Sequence, residues 1–341
     1  MMFLSTEVLA TLWFLAIGLM VVLYILLDGG DLGIGILSLL PQKEGERDVM
    51  MHIMGPIWDA NETWLVVAGG MLFGAFPLAY AIALPALYIP VMCMLFGLIL
   101  RAASFEFHAF ATKKRIWSFM FGFGSLLAAV GQGAAIGGLL SGINIVDGQF
   151  GGGAFDFLTP LTLLVTVGII MSYVFVGYAY LIKKTGSETS PGTYLKILIT
   201  GAVTGVALLG ATLLLPSKSY LFFTRWTMYP TNYLLFGITG LMGVFSLWLI
   251  ILVFRKHCGP MLHNLCLVIF VLAMLGILVG VFPYIIPPSL TIYDAASSRQ
   301  TLEFMFVGLG PLIPIILAYN YYLHKIFRGS DHQSRSEAYG E

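Results

Sequence analysis

The sequence predicts an all-α, polytopic membrane protein with about nine transmembrane helices. Composition carries the first half of that expectation. Of 341 residues, 59% are hydrophobic and only 10% are charged, with a mean hydropathy of +0.92; a soluble domain carries about 25% charged residues. The second half is the pattern. Apolar residues gather in nine runs at 8–28, 55–76, 79–100, 117–141, 160–182, 196–216, 232–254, 263–286 and 304–326, each near the ~20 residues a helix needs to cross hydrocarbon. Two four-helix bundles plus a peripheral helix would accommodate them.

Basic residues support the count. With nine spans, 14 of the 17 Lys and Arg fall on one side of the membrane. Basic residues collect in short cytoplasmic loops, so that side is the cytoplasm. Merging the second and third runs, which meet near Pro77, would destroy the asymmetry. The N-terminus is then periplasmic and the C-terminus cytoplasmic. "MMFLSTEVLATLW" lacks the basic start of a signal peptide, so the first run is expected to stay as a helix. Residues 1–327 form the membrane domain, and the polar tail 328–341 reads as disordered. The Gly-rich stretch 148–157 reads as a flexible external turn. Lys+Arg equals Asp+Glu at 17 each, which points to no nucleic-acid partner. Cys93, Cys258 and Cys266 have no metal or redox spacing and read as small buried hydrophobes.

Charges inside spans are costly and mark candidate functional sites. In "LLDGGDLGIG", Asp28 and Asp31 stand at the cytoplasmic end of the first run. They form a turn if the helix stops there, or share one face if it continues. In "GPIWDANETWL", Asp59 and Glu62 fit a capping box, Asp59 as N-cap and Glu62 returning to its amide. Trp58, Asn61 and Trp64 add polar groups at the same depth. Acids near the cytoplasmic face of an apolar bundle are also what a proton inlet needs. In "LILRAASFEFH", Arg101 ends the third run and could snorkel to the interface or neutralise Asp59 or Asp31; Glu106 and His108 then fall in the loop. Near the last run, Ser297 and Gln300 fit a second capping box, and Asp294 and Arg299 could pair.

All six histidines fall in or beside cytoplasmic loops. Haem ligation within a bundle usually needs a histidine there, so the chain is expected to ligate no haem and no metal. "GQGAAIGG" at 131–138 reads as small residues for close helix packing. A secondary transporter would also suit nine spans and half-buried acids. Transporters often carry internal repeats with broken helices at midplane; here no repeat is visible and the acids lie near one face.

The segments "LLDGGDLGIGIL", "GPIWDANETWLVVAGGMLFGAFPLAYA", "LILRAASFEFH" and "GVFPYIIPPSL…YDAASSRQTL" resemble, in order, subunit II of the cytochrome bd quinol oxidases. Trp58-Asp59-Ala60-Asn61-x-x-Trp64-Leu65 is the most specific of them, with Ala60 in place of a Gly found in some members. The resemblance implies an oxidoreductase subunit in the bacterial inner membrane. Haem b and haem d would be ligated by the larger subunit I, which also oxidises quinol, and O₂ would be reduced to water with protons from the cytoplasm. This subunit would support assembly and a proton path through the aspartate matching Asp59, with Asp31, Trp58 and Arg101 also important. Members can hold a structural quinone in this subunit, which no residue pattern here locates. The implied partners are subunit I, quinone, membrane lipids and small accessory single-span subunits.

Overall fold

The structure is a computed structural model and describes residues 4–40, 46–55, 58–185, 191–255 and 260–326; the expected polar tail therefore lies outside the described residues, as does Cys258. Helices dominate. In chain order they are α1 (Thr6–Ser38), α2 (Glu46–Met54), α3 (Trp58–Ala75), α4 (Pro77–Ala86), α5 (Tyr88–His108), α6 (Lys114–Ser141), α7 (Pro160–Thr185), α8 (Pro191–Lys218), α9 (Tyr220–Thr227), α10 (Thr231–Phe254), α11 (Pro260–Val281), α12 (Ile292–Ala295), α13 (Arg299–Leu309) and α14 (Leu312–Ile326). Two short hairpins complete the chain, β1 (Ile145–Val146) with β2 (Gln149–Phe150) and β3 (Tyr284–Ile286) with β4 (Leu290–Thr291).

Among the described residues, eight helical stretches are long and apolar enough to cross a membrane, with α13 and α14 forming one of them. The ninth expected span corresponds to α3, whose 18 residues cover about 27 Å of rise. Asp59, Asn61 and Glu62 in its first turns make it less apolar than the rest. The third run is displaced from its expected place. Pro77–Ala86 forms the separate short helix α4, the chain breaks at Leu87, and the spanning helix runs on to His108. Pro77 stands at the first position of α4, where its missing N–H costs nothing.

In the first group of helices, α1 packs on α3 and α6, and α5 on α6; in the second, α7 packs on α8 and α11, and α10 on α11. The α6–α7 and α1–α7 contacts join the two groups, and α13 lies against α1 and α3. Close approach explains the glycines of the first motif. A Cβ on Gly33 would lie 1.9 Å from the Tyr173 carbonyl oxygen of α7, so only glycine lets α1 and α7 meet there. "GQGAAIGG" does the same for α6, where Gly131 meets α5 and Gly133 and Gly137 meet α7.

The Gly-rich stretch 148–157, expected as a flexible turn, is a defined structure. β1 and β2 pair across Asp147 and Gly148, both at positive φ (49° and 74°), as a tight hairpin turn requires, and Phe157 beyond them is buried. The eighth run ends earlier than expected, at Val281, because Pro283 cannot continue the helix; residues 284–286 become β3.

Candidate functional site

The buried charges converge at one end of the first helix group. α1 does not turn at "DGGDLG"; it stays helical to Ser38. Asp28 and Asp31 therefore sit about two to three turns inside the helix, on one face, at 0% and 4% exposure. Of the two readings of that motif, the continuing helix holds.

The longer α5 carries Arg101 inward. It does not snorkel, because seven further helical residues separate it from the end of α5. The guanidinium is fully buried. Its Nη2 donates to Asp28 Oδ1 and, at 2.6 Å, to Glu62 Oε1. Its ion-pair partners are thus Asp28 and Glu62, not Asp59 or Asp31. Ser104 Oγ donates to the Arg101 carbonyl at 2.6 Å. Glu106 and His108 belong to the last turns of α5 rather than to a loop.

The capping-box reading of Asp59 and Glu62 also gives way. α3 already begins at Trp58, so Asp59 lies inside the first turn and Glu62 a turn deeper, turned toward Arg101. Asp59 is exposed, and its carbonyl accepts from Thr63 Oγ1 at 3.1 Å. Asn61 is buried and donates through Nδ2 to Asp31 Oδ2 at 2.8 Å. Trp58 stacks on Phe105, ring centroids 5.3 Å apart and nearly parallel. The structure thus brings together Asp28, Asp31, Asn61, Glu62 and Arg101, with Trp58 and Asp59 at the rim. Around them, Asp28 Oδ2, Asn61 Oδ1, Trp64 Nε1, and Nε and Nη1 of Arg101 are buried with no hydrogen-bond partner among the described residues.

Asp294, Ser297, Arg299 and Gln300 are separate from this cluster. The N-cap of α13 is Ser298, whose Oγ accepts from Thr301 N; Ser297 instead donates its amide to the Ala75 carbonyl. The register of the second capping box is one residue off, because the helix starts at Arg299. Arg299 pairs with Glu303 one turn on at 2.8 Å, and Asp294 bonds to Thr291, the N-cap of α12; the two do not pair with each other.

Three residues escaped the sequence reading. Tyr173 donates to Gln132 Oε1 at 2.6 Å, and Gln132 Nε2 donates to Tyr24. All three are buried, and Tyr24 lies one turn before Asp28 on α1. Gln132, the one long polar side chain among the small residues of "GQGAAIGG", was the available signal.

Residues 9–327 match the family described as cytochrome bd terminal oxidase subunit II. The chain belongs to that family. It is a subunit of an oxidoreductase complex of the respiratory membrane, which answers the transporter alternative. It is 29% identical over 354 aligned positions to the cytochrome bd-I ubiquinol oxidase subunit 2 of Escherichia coli K12, covering 92% of both chains. It is 26% identical to the cytochrome bd ubiquinol oxidase subunit 2 of Bacillus subtilis 168, covering 93% of this chain and 95% of that one. The solved bd oxidase of Geobacillus thermodenitrificans contains a chain of the same fold, with a TM-score of 0.77 at 16% identity, covering 94% of this chain and 99% of that one.

Proposed function

We propose that this bd-family subunit serves a quinol:oxygen oxidoreductase by conducting protons from the cytoplasm toward an oxygen-reducing centre held by the larger subunit I. Relatives named as ubiquinol oxidase subunits support the quinol part. The observation that carries the proton part is Arg101 held between Asp28 and Glu62, with Asp31 and Asn61 beside them. One permanently charged guanidinium faces three carboxyl groups, so the number of protons in the cluster can change while a positive charge stays in place. Asp59, exposed at the rim and three residues from Glu62 on the same helix, is the entrance, and the Trp58–Phe105 stack walls it. The five buried polar atoms lacking protein partners favour internal water, which bridges such groups in folded proteins.

Haem b and haem d are assigned to subunit I. Of the described histidines, His52 is exposed on α2, His108 ends α5 within 3.3 Å of Ser118 Oγ, His263 stands in the first turn of α11, edge-on to Tyr180, and His324 falls in the last turn of α14. None lies in the middle of a span, so these donors do not suit a haem held by this chain alone. Subunit I is the implied partner; the family's structural quinone and accessory subunits find no particular support in these residues. The basic asymmetry favours a periplasmic N-terminus and cytoplasmic C-terminus in the bacterial inner membrane, with quinol oxidised near the outer face. A reporter fused after Phe327 should then be active only in the cytoplasm.

Two measurements test the whole reading. The purified complex should show haem d absorption and contain a larger subunit; a colourless single chain would sink the oxidase assignment. Asp59→Asn should lose most quinol-driven oxygen consumption in a complex of normal haem content. Asn matches Asp in size and shape at this exposed position in the first turn of α3, but its amide does not titrate. Near-normal turnover would leave Asp59 with no proton role.

A further inference from the structure

Three consecutive cations, Lys113 as the N-cap and Lys114 and Arg115 as the first residues of α6, are all exposed. None has an ion-pair partner among the described residues, and the first turn of α6 contains no acid. The connection between α5 and α6 is braced on both sides. Ser118 of α6 lies within 3.3 Å of His108 of α5, and Trp117 packs on Phe107 with centroids 5.0 Å apart. The cations therefore stand over a fixed frame. Between them lies a shallow, open depression of about 620 Å³ lined by Thr112, the three cations, Ile116 and Phe119. Further along α6, Phe119 stacks on Phe123 at 5.7 Å, both exposed, and Phe110 beside the depression is 88% exposed.

We propose that this depression binds an anionic phospholipid, its phosphate held by Lys113, Lys114 and Arg115 and its acyl chains laid on Ile116, Phe119 and Phe123. The positive-inside rule accounts for cations at this end of the molecule. It does not account for three of them bordering a depression whose apolar lining, Ile116 and Phe119, continues along the exposed face of α6 to Phe123. Basic pockets beside transmembrane helices attract anionic headgroups, and a guanidinium adds a fork that fits phosphate oxygens. A zwitterionic headgroup would bring its own positive charge toward these three. Charge and apolar surface together therefore select an anionic amphiphile.

The test uses the two-subunit complex. It is delipidated in detergent, reconstituted in discs of equal parts phosphatidylcholine and phosphatidylglycerol, re-extracted, and its retained lipids are counted by native mass spectrometry. The wild type should retain phosphatidylglycerol over phosphatidylcholine. Lys113→Gln, Lys114→Gln and Arg115→Gln combined should reduce that retention on the order of 10-fold or more, and Phe119→Ser should weaken it without removing a charge. Excess inorganic phosphate should not displace the lipid; displacement would make this a free-anion site and overturn the proposal. Equal retention by wild type and the charge variant would overturn it too. So would a wild type that keeps phosphatidylcholine as readily, a result that needs no variant to fold. Because lipid retention is the readout, failure here is separable from failure of the proton reading.

Discussion

Helices α6 and α10 are both long, apolar and rich in glycine, yet 56% of the most apolar stretch of α6 is buried inside the chain and 17% of that of α10. The glycines of α6 face backbone: a Cβ on Gly131 would lie 2.5 Å from the Met94 amide nitrogen of α5. Those of α10, Gly237, Gly240 and Gly243, face nothing within 4 Å. The same residue type is a packing requirement in one helix and unused in the other. Buried polar groups divide the same way. They are concentrated on α1, α3, α5, α6 and α7, and beyond Thr200 only His263 and Asn320 are buried polar residues among those described. Small or polar residues in a span therefore acquire meaning only from the neighbour they meet.

The largest expected effect is at Arg101. Arg101→Ala would leave the carboxylates of Asp28 and Glu62 buried without their cation, a loss of about 3–5 kcal/mol, read as failed assembly or a lowered thermal midpoint of the haem-containing complex. Arg101→Lys should restore only part of it: a single nitrogen, Nη2, meets both acids, and a lysine keeps the charge but not the reach and fixed orientation of the planar guanidinium. A fully stable Arg101→Ala complex would break the contrast between the two regions.

Gly131→Ala should cost about 1–3 kcal/mol, because α5 and α6 must separate to admit the methyl group. Gln132→Leu should cost a similar ~1–3 kcal/mol by stripping the Tyr24 and Tyr173 hydroxyls of their shared partner. Thermal unfolding checks both. Ser298→Ala should lose about 1 kcal/mol of helix capping while Ser297→Ala, which keeps its backbone amide bond, changes little. Gly240→Ala in α10 should be the mildest, neutral or stabilising by up to ~1 kcal/mol. A strong defect there would mean that its open face is covered in the complex.

Much of this was legible in the sequence, and the failures share a cause. Runs of apolar residues place spans well because hydrocarbon demands length and apolarity. Helix ends are harder to read, because within a protein interior a helix can continue through glycines and charges that would stop it in water. α1 runs on through "DGGDLG" because Asp28 finds Arg101 and Gly33 finds Tyr173. α5 begins nine residues later than the run it belongs to, which carries Arg101 from an interface into the core. The acids were recognisable as a group, since charge in a span has few excuses. Which acid meets which cation was not, because that depends on the axial register of α1, α3 and α5, and composition does not encode register. Gln132 hid among small residues whose packing role was the louder signal.

One bond ties the two extremes of the chain. Asn320 of α14 donates through Nδ2 to the Ala60 carbonyl in the first turn of α3, at 3.1 Å and across 260 residues. Chains emerge from the ribosome N-terminus first, so α1, α3, α5 and α6 can meet while α14 is still unmade. The first turn of α3, beside Asp59, then gains this tether only after α14 has been made. A ribosome-stalled chain ending before Asn320 should therefore already hold the Asp28–Arg101–Glu62 contacts yet lack this tether at the start of α3, which makes the arrival of α14 the event that secures the first turn of α3.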